Sequence, residues 1–378
     1  MNPRLTRQEL LRRGAAGGAL LTFPSLLAAC GGGGGGDAGG GEVLDVLNFS
    51  NWQLYIDTAK PTTLQKFKEQ EGITVNYFED INDNAQYFAK IQGPLKQGQG
   101  IDRDIFVFTD NSRFPGLLVD QGWVQKLDKS LIPNISNLIE AQASPSFDPN
   151  REYSLPWFSG ITGIAWNTQL TEPITTMEQF FTDSKLKNKV TMLQELADSV
   201  GLTMLGNGAD PSTVTPESYE AAIGTIKSAV DSGQIQKFTG NDYAQPLARG
   251  ELAAAVAWSG DVIQLIADNP HLRWDVPESG GMIWTDNMFI PTGGSVPTAS
   301  TYMNFVYDPA IAAQLAVGAG YISSVDGVQA EAAKLDPKAA ANPLLFPNPA
   351  TLSKVHQYDS AALNNDEYIT TWQGVLGQ

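Results

Sequence analysis

Short strand-like runs alternating with amphipathic helical runs, over a chain of 378 residues, predict an α/β protein built as two lobes. The rhythm runs βαβα from Val43 onward, which predicts a largely parallel sheet covered on both faces. The length exceeds what one hydrophobic core usually organises. A hydrophobic fraction of 42% and a charged fraction of 17% are those of a soluble globular protein.

Residues 1–29 read as a targeting segment. Arg4, Arg7, Arg12 and Arg13 precede the apolar run Ala15–Leu27, which is too short for a comfortable membrane span. The run ends in Leu27-Ala28-Ala29-Cys30, which is similar to the lipobox of bacterial lipoproteins, where the cysteine is lipidated and becomes the new N-terminus. Thr6-Arg7-Gln8-Glu9-Leu10-Leu11 is similar to a twin-arginine export motif with Gln8 in place of the second arginine, so the export route stays open. Residues 30–42, almost all glycine after Cys30, form a flexible tether. They match GxGxxG, but no strand precedes them and no helix follows, so they carry no dinucleotide reading.

In the body, Val43–Asn48 reads as a strand and Pro61–Glu71 as a helix stopped by Gly72, with Leu64 and Phe67 inward. Ile73–Phe78 is strand-like, and Asn84–Gln92 is helical, with Tyr87, Phe88 and Ile91 on one face. Ile105–Phe108 reads as a short buried strand and Ser112–Gln121 as a helix. After a loop-rich stretch, Tyr153–Trp157 reads as a crossing into the second lobe. Strand signals recur at Thr162–Trp166, Val190–Leu193 and Leu252–Trp258. Pro216–Asp231 is the clearest helix, with Tyr219, Ile223, Ile226 and Val230 in register. Further helices are expected at Asn241–Arg249, Ala310–Gly320, Val328–Leu335 and Asp366–Leu376.

Charge and rare residues exclude several functions. The net charge is −17, and removing residues 1–29, which carry +3, leaves −20. Nucleic-acid binding needs basic patches, so nucleic acid is excluded as a partner. One cysteine allows no internal disulfide, and His271 and His356 lack metal-ligand spacing. Asp80, Asn82, Asp83 and Asn84 resemble a calcium loop, but no glycine turns it and no glutamate closes it.

The chemistry-bearing stretch is Val256–Pro291. Trp258 lies near Asp261 and Trp284 near Asp286, each where a strand-like run breaks. An aromatic face attracts a cation by roughly 0.5–2 kcal/mol, and a carboxylate adds a charge-assisted hydrogen bond of roughly 1.5–3 kcal/mol. The doubled pairing suits an organic ammonium. The bland alternatives are an N-cap for Asp261, core positions for both tryptophans and a solvated helix edge for Glu195 and Asp198.

Several segments resemble the spermidine/putrescine-binding proteins of bacterial ABC importers, in the family's order and over most of the chain after the tether. They are Asn51-Trp52-Gln53-Leu54-Tyr55, Phe67–Val75, Val124–Lys129, Phe147–Pro156, Trp258-Ser259-Gly260-Asp261 and Gly280–Asp286. The resemblance implies the two-lobed periplasmic-binding-protein fold with hinge crossings. Lobe 1 would comprise 43–157 plus 286–329, and lobe 2 would comprise 158–285 plus 330–378. It implies ligand-binding roles for Trp52, Tyr55, Thr109, Glu195, Asp198, Trp258, Asp261, Trp284, Asp286 and Tyr321. Leu54 stands where better-known members carry an acid, and Asp110 is the candidate to replace it.

The expected function is therefore a non-enzymatic, extracytoplasmic protein, anchored through Cys30 at the periplasmic or outer face of the cytoplasmic membrane. It would act as a monomer, without cofactor or metal, passing a polyamine to ABC permease subunits. Two charge-assisted bonds and four buried methylenes supply ~6–9 kcal/mol gross, which after association costs leaves affinity near micromolar. The alternatives are a secreted carbohydrate-active hydrolase using a pair such as Glu195 and Asp286, which would need carboxylates ~5–9.5 Å apart, or a surface adhesin that binds no small ligand.

Overall fold

Strand β1 (Val46–Trp52) begins the sheet in the computed structural model, which describes residues 42–377. The expected targeting segment, Cys30 and tether lie outside the described residues. Strand β2 (Thr74–Ile81) and strand β3 (Ile105–Thr109) both pair parallel with β1. Between them the helix Thr63–Glu71 is opened by a capping box on Thr62 and closed by Gly72 in the left-handed region (φ +75°), where a side chain would be strained.

The middle of the sheet departs from the parallel expectation. Strand β4 (Ser154–Asn167) is 14 residues long, buried throughout, and antiparallel to its neighbours. Its first part, Ser154–Pro156, pairs with Asn287–Phe289 of strand β9 (Gly281–Phe289). Its last part pairs with strand β7 (Ala254–Trp258) and strand β8 (Leu272–Asp275). The C-terminal half of β9 in turn pairs antiparallel with β3. Strands β5 (Val190–Leu193) and β6 (Ile235–Thr239) then continue the sheet in parallel beyond β7, giving the order β2-β1-β3-β9-β4-β7-β5-β6.

Two parallel flanks are thus joined by one antiparallel pair, β4 and β9, that runs from one lobe into the other. The register slips between Pro156 and Ser159, so the pair bulges where the lobes meet. Sequence signals at Tyr153–Trp157 and Thr162–Trp166 are two ends of the one strand β4. The glycines between them serve packing: a methyl on Gly160 would overlap the Trp284 ring, and one on Gly163 would collide with Trp274.

The helix Leu196–Gly206 packs on β9, and Pro216–Asp231 packs against Leu196–Gly206 and the C-terminal helix Asp366–Leu376. Pro309–Ala319 packs against Val328–Leu335. No described helix is long and apolar enough to cross a membrane.

Candidate functional site

The sheet architecture delivers side chains to the seam from three strand ends and from the middle of a fourth strand. Strand β1 ends on Trp52, β3 on Thr109, β7 on Trp258, and β9 carries Trp284 and Asp286 across the seam. Ten of the eleven expected residues (Trp52, Tyr55, Thr109, Glu195, Asp198, Trp258, Asp261, Trp284, Asp286 and Tyr321) line a single cavity. All ten are buried, none more than 9% exposed, so the lobes stand closed.

Five aromatic rings form its walls. Trp52 meets Trp258 edge-to-face at 5.6 Å, Trp258 meets Trp284 at 6.1 Å, and Trp284 meets Tyr321 at 6.0 Å. Tyr321 in turn meets Tyr55 at 4.6 Å with the rings nearly perpendicular. A polar relay fixes the indoles: Trp284 Nε1 donates to Thr162 Oγ1 (2.9 Å), Thr162 donates to Asp198 (2.8 Å), and Trp258 Nε1 donates to the other Asp198 oxygen (3.1 Å). Trp258 and Trp284 are therefore both core residues and cavity walls.

Four carboxylates face this space. Asp286 accepts hydrogen bonds from the Tyr55 hydroxyl (2.6 Å) and the Thr109 hydroxyl (2.7 Å). Asp261 accepts from Asn241 (2.6 Å), Tyr243 (2.7 Å) and Tyr321 (2.6 Å). It does not cap its helix: it is the third residue of Ser259–Asp268, whose N-cap is Trp258. Glu195 accepts from the Asn84 amide (2.8 Å) and side chain (3.0 Å), both on one oxygen, so the solvated helix edge is not its setting. Asn84 opens the helix Asn84–Lys96 that follows β2, so this bond joins residues 111 positions apart in the chain.

Burial drives the electrostatics. It pushes the Asp286 carboxyl up to about 7 despite its two hydroxyl donors, with Asp110 and Asp198 adding repulsion. It pushes Asp198 and Asp261 up to about 6 and Glu195 up to about 8, Glu195 being raised further by the charge of Asp83. Among the described residues no lysine, arginine or histidine lines the cavity. Four acids are thus held out of water with no opposing cation, an arrangement that costs free energy until a positive ligand arrives.

Asp110 is corrected. Strand β3 ends at Thr109 and the chain turns at Asp110, which carries that side chain away from the cavity. Asp110 accepts from the Thr285 amide (2.8 Å) and lines a separate polar cavity with Gln142 and Arg151. Leu54 is absent from the lining too: its backbone sits in the left-handed region (φ 56°), and its carbonyl accepts from Gln264 (2.7 Å). The acid missing at position 54 is not replaced by Asp110. The cavity has its acids from Glu195, Asp198, Asp261 and Asp286 instead.

Gln53, Asn111 and Asn241 also line the cavity and were not anticipated. Asn111 lies in the turn that follows β3, where no strand or helix period marks which way a side chain faces. The side-chain oxygens of Asn111 and Asn241 are buried without a hydrogen-bond partner, leaving two acceptors available to a donor-rich ligand.

A cavity closed between two lobes that share crossing strands defines a solute-binding protein of the two-lobed type. The chain belongs to the bacterial extracellular solute-binding protein family, whose model matches residues 62–347. Its relatives include the spermidine/putrescine-binding periplasmic protein of Salmonella typhimurium, 27% identical over 313 residues, covering 82% of this chain and 85% of that one. The corresponding Escherichia coli protein is 26% identical over 338 residues, covering 88% of each. The putrescine/agmatine-binding protein of Pseudomonas aeruginosa is 23% identical over 349 residues, covering 86% and 90%. A putative spermidine/putrescine ABC transporter structure from Listeria monocytogenes shares the fold, with a TM-score of 0.73, 24% identity and coverage of 88% and 98%. So does the binding protein AgtB of A. tumefaciens in complex with agropinic acid, with a TM-score of 0.72, 19% identity and coverage of 89% and 100%. These relatives are binding proteins, and none supports the hydrolase alternative.

Proposed function

We propose that this chain captures a linear polyamine between its lobes and delivers it to the permease of an ABC importer. One observation carries the reading: four buried carboxylates surround an aromatic-walled cavity that no cationic side chain lines among the described residues. A polyamine supplies what is missing. Its ammonium ends satisfy the acids by charge-assisted hydrogen bonds, and its methylenes lie against indole faces. An acidic ligand, such as the agropinic acid held by the similarly folded AgtB, would meet repulsion from these carboxylates.

Under this reading Cys30 carries the lipid and the glycine tether lets the body sample the membrane face from outside the cytoplasm. The protein acts as a monomer. The expected boundary at 329 falls inside the helix Val328–Leu335, which packs on Pro309–Ala319, so residues 43–157 plus 286–335 move as one lobe and 158–285 plus 336–378 as the other. Closure bends β4 and β9 near the Pro156–Ser159 bulge.

Calorimetry with putrescine and spermidine, beside 4-aminobutyrate and a panel of chromogenic glycosides, tests the proposal. Saturable amine binding near micromolar, with no response to the amino acid and no glycoside turnover, is expected. Absence of binding to any amine would sink the reading.

A further inference from the structure

Glu195 and Asn111, which line the acid-walled cavity, also line a second, neighbouring one. Its outer reach is apolar, formed by Leu196, Ile369, Trp372 and Leu376, the last three from the C-terminal helix. Its inner end is acidic. The carboxylate of Glu195 spends one oxygen on Asn84, while the other accepts no hydrogen bond from any described residue. Asp83, 3% exposed, caps the helix Asn84–Lys96 with one oxygen (2.7 Å to the Gln86 amide), and its other oxygen is buried with no hydrogen-bond partner.

Arg113 is the cation that lines the same space, and its charge is taken by Asp366 at 2.8 Å. Capping satisfies half of the Asp83 carboxylate; a second, unpartnered buried oxygen is a lasting cost that capping does not require. Burial raises the Asp83 carboxyl against the pull of the Gln86 and Ala85 amides, with the charge of Asp242 adding to the rise.

We propose that this chamber is an extension of the ligand site that takes the N-substituent of a longer amine. The substituted ammonium stands between Glu195 and Asp83, and its further carbon chain lies on Leu196, Ile369 and Trp372. The preferred ligand class is then an N-substituted diamine, with a triamine as the aminoalkyl case, over the bare diamine. The extension rests on the polyamine reading above.

The test compares 1,4-diaminobutane, its N-propyl derivative and its N-(3-aminopropyl) derivative, spermidine, by calorimetry. In the unaltered protein both substituted amines should bind about tenfold or more tightly than the diamine, because each buried methylene favours binding several-fold. Leu376→Trp, which fills the chamber from the exposed end of the last helix, should erase that gain and leave the diamine within about twofold. Asp83→Asn, which keeps the cap, should weaken both substituted amines about five- to tenfold and spare the diamine. A diamine that binds as tightly as its derivatives, or an unchanged ranking in both variants, overturns the extension and leaves the general function standing. Failure of all three amines to bind would instead remove the polyamine reading itself.

Discussion

Asp261 and Glu195 lie on the same cavity and are both buried, yet they are built differently. Three donors, two of them phenols, engage both oxygens of the Asp261 carboxylate. Glu195 has only Asn84 for a partner and keeps a whole oxygen in reserve. A carboxylate has about four lone-pair directions, so donors already in place subtract from what a ligand can use. Nearness to the ligand space therefore does not define a grip. Asp261 braces Tyr321 and Tyr243 as walls, whereas Glu195 and the less fully engaged Asp286 are free to hold charge.

The largest expected effect sharpens that contrast. Asp261→Ala should orphan three buried donors and cost about 3 kcal/mol or more of stability, read as a fall in melting temperature without ligand. An unchanged melting temperature would erase the distinction between brace and grip. Next, Asp286→Asn should weaken polyamine binding about 10- to 100-fold, the worth of one charge-assisted bond of roughly 1.5–3 kcal/mol, with little loss of fold. Unchanged affinity by calorimetry would remove Asp286 from the site.

Glu195→Gln comes third. It should weaken binding about tenfold at pH 8, and the unliganded protein should melt no lower than the parent, since a strained buried acid has been neutralised. A drop in unliganded stability equal to that of Asp261→Ala would place Glu195 among the braces.

The smallest effect is on pH. These acids are raised in the closed state, so the folded protein holds protons that the unfolded chain releases. Their contribution to unliganded stability declines as pH climbs from the ordinary carboxylate range through the raised values of about 6 to 8. A polyamine, charged throughout that window, relieves the repulsion and expels the protons. Affinity should rise severalfold from pH 6 to pH 8, and the binding enthalpy should depend on the buffer's ionisation heat. A flat profile with no buffer dependence would show that the acids enter binding already ionised.

Local rules made much of the fold legible before the structure. Pro216–Asp231 is delimited where expected because Thr215 caps it and Pro216 occupies its first turn. Val190–Leu193, Val328–Leu335 and Asp366–Leu376 likewise stand at their expected bounds. Strand β1 was misplaced by three residues at its start, Val46 instead of Val43, and runs on to Trp52 because β2 and β3 pair with it that far. The unity of β4 was hidden because Pro156, Gly160 and Gly163 look like strand breakers in isolation, while their value lies in partners more than a hundred residues away.

At the site, the charged and aromatic residues announced themselves by type. Gln53, Asn111 and Asn241 did not, because a neutral amide means nothing until its neighbours are known. Asp110 misled for a related reason: it adjoins Thr109 in sequence, but the chain turns there and carries it to a different cavity.

Gly160 never meets the ligand space, yet its bare Cα is what lets the Trp284 indole lie flat over β4. The bore of the slot is therefore set from behind. A single extra carbon at this glycine would drive the indole forward and narrow the cavity, with every acid still in place. Selectivity in this lineage can thus drift through residues that no inventory of ligand contacts would name.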